Sequence, residues 1–117
     1  MRLILYGTEG DRSDIVRAVS AVPELCYRKI CIESYSDYDS FIAGLNKSVP
    51  DCVVIAVNGA EGMEGVIAAR NARRETPVLW LSDDGGFGAQ SYRLGCAYFQ
   101  KKPLSPEALS AAIAKCV

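Results

Sequence analysis

The residues of this chain best equipped for chemistry are a few carboxylates, one hydroxyl and one lysine, set far apart in sequence. Glu9 and Asp11 follow the first apolar run, Ser82-Asp83-Asp84 follow a later one, and Lys102 stands directly before Pro103. The chain contains no histidine. That removes the commonest general base, the commonest zinc ligand and any Ser/His or Cys/His nucleophile pair. What the remaining groups can offer is oxygen ligation of a hard cation. Five cysteines complete the inventory: Cys26, Cys31, Cys52, Cys96 and Cys116. Their number is odd, no CxxC occurs, and three lie inside apolar runs, so they read as buried reduced thiols of a cytoplasmic protein. A redox pair between Cys26 and Cys31 is the alternative, without a motif behind it.

The elements that position these groups follow from hydrophobic period. Leu3-Ile4-Leu5-Tyr6 is a continuous apolar run, as in a buried strand. Residues 11–22 carry Ile15, Ala18, Val19 and Val22 at helical spacing, and Pro23 ends that helix. Residues 29–35 alternate like an edge strand. Ser36 with Asp39 has the form of a capping box before Tyr38, Phe41, Ile42 and Leu45. Residues 52–57 form the most strand-like run, residues 58–62 read as a loop, and residues 63–74 as a helix. Residues 77–81 predict the fourth strand. A short helix over residues 88–94 ends at Gly95, and residues 97–100 predict the fifth strand. Ser105 caps the last helix, with Pro106 at its first position and Glu107 in its first turn.

Strand and helix alternating five times predicts an α/β domain, a parallel sheet covered on both faces. The expected form is the flavodoxin-like (βα)5 sandwich of strand order 2-1-3-4-5, one domain over residues 1–117. Its crevice lies at the carboxyl ends of the strands, where the winding reverses. With 13 Lys plus Arg against 14 Asp plus Glu, the net charge is −1, which lacks the field that nucleic-acid binding needs. The N-terminal run is too short for a signal peptide, and no run approaches the eighteen or so apolar residues of a membrane span. The expectation is a soluble cytoplasmic domain with no cofactor, no metal and no nucleic-acid or membrane contact of its own. The glycines at 59–65 and 85–88 match neither GxxxxGK[ST] nor GxGxxG and read as turn formers.

The crevice should therefore gather Gly7, Thr8 and Glu9 after strand one, Ala56, Val57 and Asn58 after strand three, Ser82 after strand four, and Lys102-Pro103 after strand five. A hydroxyl after strand four with Lys-Pro after strand five is a recognisable pair. The run from Leu94 to Glu107, and Pro50 to Val57 with it, resembles the receiver domain of bacterial response regulators. In that family an aspartate after strand three accepts a phosphoryl group, an acidic pair after strand one helps hold Mg²⁺, and the hydroxyl and lysine contact the phosphoryl oxygens. The resemblance places Ser82 at the hydroxyl, Lys102 at the lysine, Pro103 after it and Phe99 at the switch aromatic. Lys-Pro at that place often carries a cis peptide in the family.

The sequence departs from the family at the acid site. Ala56 stands at the acceptor position and Gly7-Thr8 at the acidic pair, leaving Glu9 as the one acid there. A methyl group cannot replace a carboxylate nucleophile, and Mg²⁺ requires oxygen ligands. Asp51 starts strand three, roughly 16 Å from the crevice at ~3.3 Å per residue. Asp83 and Asp84 are better placed but read as loop acids or helix caps, and Asp11 as a helix cap. Lys102, facing an alanine, is expected to turn to Glu9, Asp83 or solvent. The reading is a degenerate receiver, not an enzyme, that works through a protein partner or a second copy, and that is either a stand-alone domain or a piece followed at its C-terminus by an output domain. The short fourth helix and the spacing from Ser91 to Pro103 resemble regulators with LytTR-type output. The contact face would hold Tyr92, Arg93, Tyr98, Phe99 and Lys101, with Lys115 at its rim. The rivals are a receiver phosphorylated at an atypical residue, Asp83 or Asp84, and a small-ligand binder on the same fold.

Overall fold

A sheet buried on both faces needs strands that are apolar at every position, and the central runs of this chain supply them. In the computed structural model, which describes residues 1–25 and 28–116 and the backbone alone of Glu24, these runs are β1 (Arg2–Tyr6), β3 (Cys52–Ile55) and β4 (Val78–Ser82). The less apolar β2 (Cys31–Tyr35) and β5 (Tyr98–Lys101) lie at the edges. All four pairings are parallel and the order is β2-β1-β3-β4-β5. Winding proceeds outward from β1 to β2, then restarts at β3 in the other direction. Right-handed crossovers in two directions place helices on both faces. The proposed Cys26–Cys31 pairing falls partly outside the described residues.

The period of two along each strand divides the core. Leu3, Leu5, Val54, Leu79 and Leu81 point to one face, where α1 (Glu9–Ser20) and α5 (Pro106–Ala114) cover them with Ile15, Val19, Leu109 and Ile113. Ile4, Tyr6, Val53, Ile55 and Trp80 point to the other, under α2 (Tyr38–Lys47), α3 (Gly59–Ala72) and α4 (Gly88–Arg93). Among the described residues no helix is long and apolar enough to cross a membrane.

Several expected boundaries move, each for a local reason. Helix α1 begins at Glu9, because Thr8 and Asp11 form a reciprocal capping box two residues earlier than the apolar stripe indicates. Helix α2 is capped by Asp37, whose carboxylate accepts from Ser40 N at 2.9 Å, and not by Ser36. The largest correction concerns residues 59–62, expected as loop and found as the first turn of α3. Their glycines serve close packing. A Cβ on Gly62 would lie 2.0 Å from the Val57 carbonyl oxygen, and one on Gly65 2.9 Å from the Tyr6 ring. The helix thus lies on the sheet with backbone against strand end. Of these three, Gly59, at φ 70°, also needs its conformational freedom.

At the opposite end of the sheet from the crevice, Arg2 ties three elements together. Its Nε donates to Glu33 of β2. Its Nη1 and Nη2 donate to the carbonyls of Ser48 at 2.6 Å and Gly44 at 2.9 Å, so a cation sits at the C-terminal end of α2, where the helix dipole favours it. Its backbone N–H donates to Asp51 at 2.7 Å, which fixes Asp51 far from the crevice as its place at the start of β3 predicts. The hydrogen bond and charge of Arg2 hold the Glu33 carboxyl below its usual range, against a smaller desolvation effect.

Two expectations follow. Gly62→Ala forces a methyl group onto a backbone carbonyl and should destabilise by about 1–3 kcal/mol in urea melts, whereas Gly88→Ala, with open space at its Cβ, should not; equal effects would refute the close-packing account. Because the folded pKa of Glu33 is depressed, its contribution is present above the unfolded glutamate value and is lost as pH falls through the folded one. Glu33→Gln should therefore lower stability at pH 7, and the gap should close below about pH 4. A gap independent of pH would mean the ion pair contributes nothing.

Candidate functional site

The carboxyl ends of β1, β3 and β4 converge with the loop after β5, and each crevice residue is set there by backbone bonds. Ala56 N donates to the Tyr6 carbonyl at 2.8 Å, Gly7 N to the Tyr35 carbonyl at 2.9 Å and Lys102 N to the Ser82 carbonyl at 2.7 Å. The structure thus brings Gly7, Thr8, Ala56, Ser82 and Lys102 to one edge. The Lys102–Pro103 peptide is cis.

Lys102 does not turn to Glu9, Asp83 or solvent. Its Nζ donates to the carbonyl oxygen of Ala56 and stands 3.6 Å from Asp11 Oδ1. The pair is partly shielded, with side-chain exposures of 23% and 21%. Asp11 is held for this task from its own helix, its Oδ2 accepting from Thr8 N at 2.8 Å and from the Thr8 hydroxyl at 3.0 Å. One carboxylate therefore serves as the inner half of the capping box and as counter-charge to a lysine of another element. Its role as a cap is legible from Thr8-x-x-Asp11; its partner is not, because Lys102 comes from the far end of the chain. Glu9, two residues before Asp11, lies exposed.

Gly7 explains how these pieces come so close. A Cβ there would lie 2.9 Å from Asp11 Oδ2 and 3.2 Å from the Ala56 methyl. A side chain at this place would push apart the loop that carries Asp11 and the end of β3. The remaining space is a cavity of about 190 Å³ between α1 and the loop after β5, lined by Asp11, Asp14, Ala56, Leu81, Lys102 and Pro103 among others.

Ser82 is fully buried and its hydroxyl is already occupied. It accepts from Asp84 N at 3.2 Å and lies 3.5 Å from Asp83 Oδ1. Asp83 N in turn donates to Asn58 Oδ1 at 3.3 Å, which ties the loops after β3 and β4. Asp84 caps the turn after β4 by accepting from Gly86 N at 2.8 Å, the cap that the sequence reading gives it. Both acids are exposed. Among the described residues no three His, Cys, Asp or Glu gather as metal ligands do.

On α4, Tyr92 is 89% exposed and Arg93 is exposed beside it. Tyr98 and Phe99 are adjacent on the edge strand and so face opposite ways. Phe99 meets Trp80 edge-on at 5.4 Å, on the α4 side. Tyr98 belongs to the α5 side, with Lys115 Nζ 4.1 Å above its ring and its hydroxyl donating to Gln100 at 3.2 Å. Lys101 at the strand end is exposed.

No protein-family model matches this sequence, and no curated protein does. Solved structures do. A protein described as the CpaE2 pilus assembly protein of Sinorhizobium meliloti 1021 is similar with a TM-score of 0.76 at 15% identity, over 100% of both chains. HP1043, an orphan response regulator of H. pylori, is similar at 0.77 and 17% identity, covering 100% of this chain and 97% of its own. The Vibrio cholerae chemotaxis protein CheY4 reaches 0.76 at 20% identity, covering 99% and 97%. Five parallel strands in the order 2-1-3-4-5 with these likenesses make this chain a flavodoxin-like α/β domain of the receiver fold.

Proposed function

We propose that this chain is a receiver domain that takes no phosphoryl group and acts as a regulatory protein-interaction or dimerisation module in signal transduction or transcription regulation. The observation that carries the reading is the engagement of Lys102. The ammonium that would meet an acceptor carboxylate and its phosphoryl group is instead bound to the Ala56 carbonyl and paired with Asp11. Around it, Ala56 offers no nucleophile, Gly7 and Thr8 offer no metal carboxylate, and the Ser82 hydroxyl is turned to Asp84 and Asp83. No reaction follows from such a set, so the domain works by contact and is not an enzyme.

The contact face is α4 with β5. Tyr92 is the most exposed large hydrophobic side chain among the described residues, with Arg93 next to it. An exposed tyrosine with an arginine is the usual composition of a binding hot spot, and a ring so solvated contributes nothing to the core. Phe99 packs the sheet beneath α4 through Trp80, so it supports this face from within. The partner in this reading is a second copy or a protein partner, with an output domain of DNA-binding type, LytTR-like by the resemblance, joined after α5.

Sedimentation velocity on the chain with Tyr92→Ala and Arg93→Glu tests the assignment. Either change should shift the chain toward monomer by roughly tenfold or more in dissociation constant, with stability altered by less than about 0.5 kcal/mol. Unaltered association in both variants would remove α4 from the interface.

A further inference from the structure

The helices of this fold run against the strands they connect, so they start at the carboxyl end of the sheet and finish at the amino end. A helix start favours acids and a helix end favours bases, and in this topology those local preferences add. The carboxyl ends of the strands, the loops behind them and the first two turns of α1, α2, α3 and α5 hold ten of the fourteen carboxylates but three of the thirteen basic side chains. The remainder, which starts strands and ends helices, is correspondingly basic. A net charge of −1 thus conceals a molecule with one acidic end and one basic end.

The two ends come into register on one helix and one strand. Glu61 and Glu64 stand in the first turns of α3, Asp83 and Asp84 directly follow β4, and all four are exposed. At the other end α3 carries Arg70 in its last turn, and Arg73 and Arg74 follow on the way to β4. The three ion pairs among the described residues use none of these side chains. The arginines lack other acceptors as well. Arg70 Nη1 donates to the Arg74 carbonyl at 2.7 Å, which fixes the guanidinium. Its Nε and Nη2, the edge that grips a carboxylate with two bonds, have no partner among the described residues, and neither has Arg73 Nε. N–H groups of a cation shielded from water without an acceptor are unfavourable, and a small turn of either side chain hands them to a docking carboxylate.

We propose that copies of this chain associate head to tail, the acids at the start of α3 and behind β4 of one copy resting on Arg70, Arg73 and Arg74 of the next. A shift along the strands by one domain length, within extents of 33 × 30 × 25 Å, carries one patch onto the other. Because the two surfaces differ, the contact is heterologous and, without a closing rotation, builds an open row of copies. A polyanion would satisfy the basic end alone, whereas a second copy answers both. A net charge near zero leaves no long-range repulsion to oppose it. This contact is separate from the α4 face, so either can fail without the other.

Sedimentation velocity tests this on the whole chain carrying Tyr92→Ala, which takes the α4 contact out of the measurement. At about 20 mM salt the weight-average mass should rise with protein concentration past that of two copies; at about 500 mM, where screening shortens to a few ångströms, it should return to that of one. Arg73→Glu with Arg74→Glu, and separately Glu61→Lys with Glu64→Lys, should each weaken association at least about tenfold, because like charges then meet. An equal mixture of the two variants should associate again, since the reversed ends attract one another. The melting temperature of each variant checks its fold; should either fail to fold, the salt dependence of the parent chain decides. A mass of one copy at low salt, an association that salt leaves unchanged, or a mixture of folded variants that stays apart would overturn the proposal. Retention of duplex DNA by a chain that stays monomeric would overturn it too, and would give the basic end to a polyanion.

Discussion

A lysine ammonium drawn partly out of water must be met by acceptors, and in this domain that requirement falls on Lys102. The residue cannot withdraw, because its backbone N–H is bonded to the Ser82 carbonyl at 2.7 Å. The Ala56 carbonyl supplies one acceptor and Asp11 the counter-charge, 3.6 Å away. An ion pair of this exposure contributes little by Coulomb attraction alone. Its weight lies in geometry. To place Asp11 there, α1 starts at Glu9 behind the Thr8 cap, and the loop before it passes Ala56 so closely that a Cβ at position 7 would crowd both Asp11 and the Ala56 methyl. The first turn of α1 and the residues that follow β3 and β5 are thereby joined through one nitrogen.

The rest of the domain is arranged so that this edge is free to specialise. Three central strands, apolar except for Arg2 and Ser82 at their ends, bury the sheet, and the two core layers are sealed by helices that meet it through Ile15, Val19, Leu109 and Ile113 on one face and Phe41, Val66 and Ala69 on the other. Arg2 performs at the amino ends of the strands the joining that Lys102 performs at the carboxyl ends, linking β1, β2, β3 and α2. Two cations thus brace opposite ends of the sheet, and neither is available for a ligand without breaking contacts of the fold.

The fold was legible because its signals are local. Apolar runs of four to six residues, helix stripes at three and four, and Pro23, Pro50, Gly95 and Pro106 as punctuation define the alternation without reference to distant parts. What could not be read depends on distance. Gly59 and Gly62 resemble turn residues until the Val57 carbonyl is seen against the helix. Ser36 reads as the cap of α2 from its spacing to Asp39, whereas the carboxylate that accepts from the helix is that of Asp37, bonded to Ser40 N. Adjacent Tyr98 and Phe99 look like one patch, but on a strand neighbours point apart. The crevice residues were found by their places at strand ends, whereas the partner of Lys102 was hidden, since a cap written in Thr8-x-x-Asp11 carries no sign of a lysine some ninety residues on.

Whether the crevice can take a phosphoryl group is measured directly by intact-mass spectrometry after incubation with acetyl phosphate and Mg²⁺. With Ala56 at the end of β3 and Lys102 bound to it, the chain should retain its unmodified mass. A gain of one phosphoryl group that disappears in Asp83→Ala or Asp84→Ala would contradict the account and make the exposed acids after β4 the acceptor.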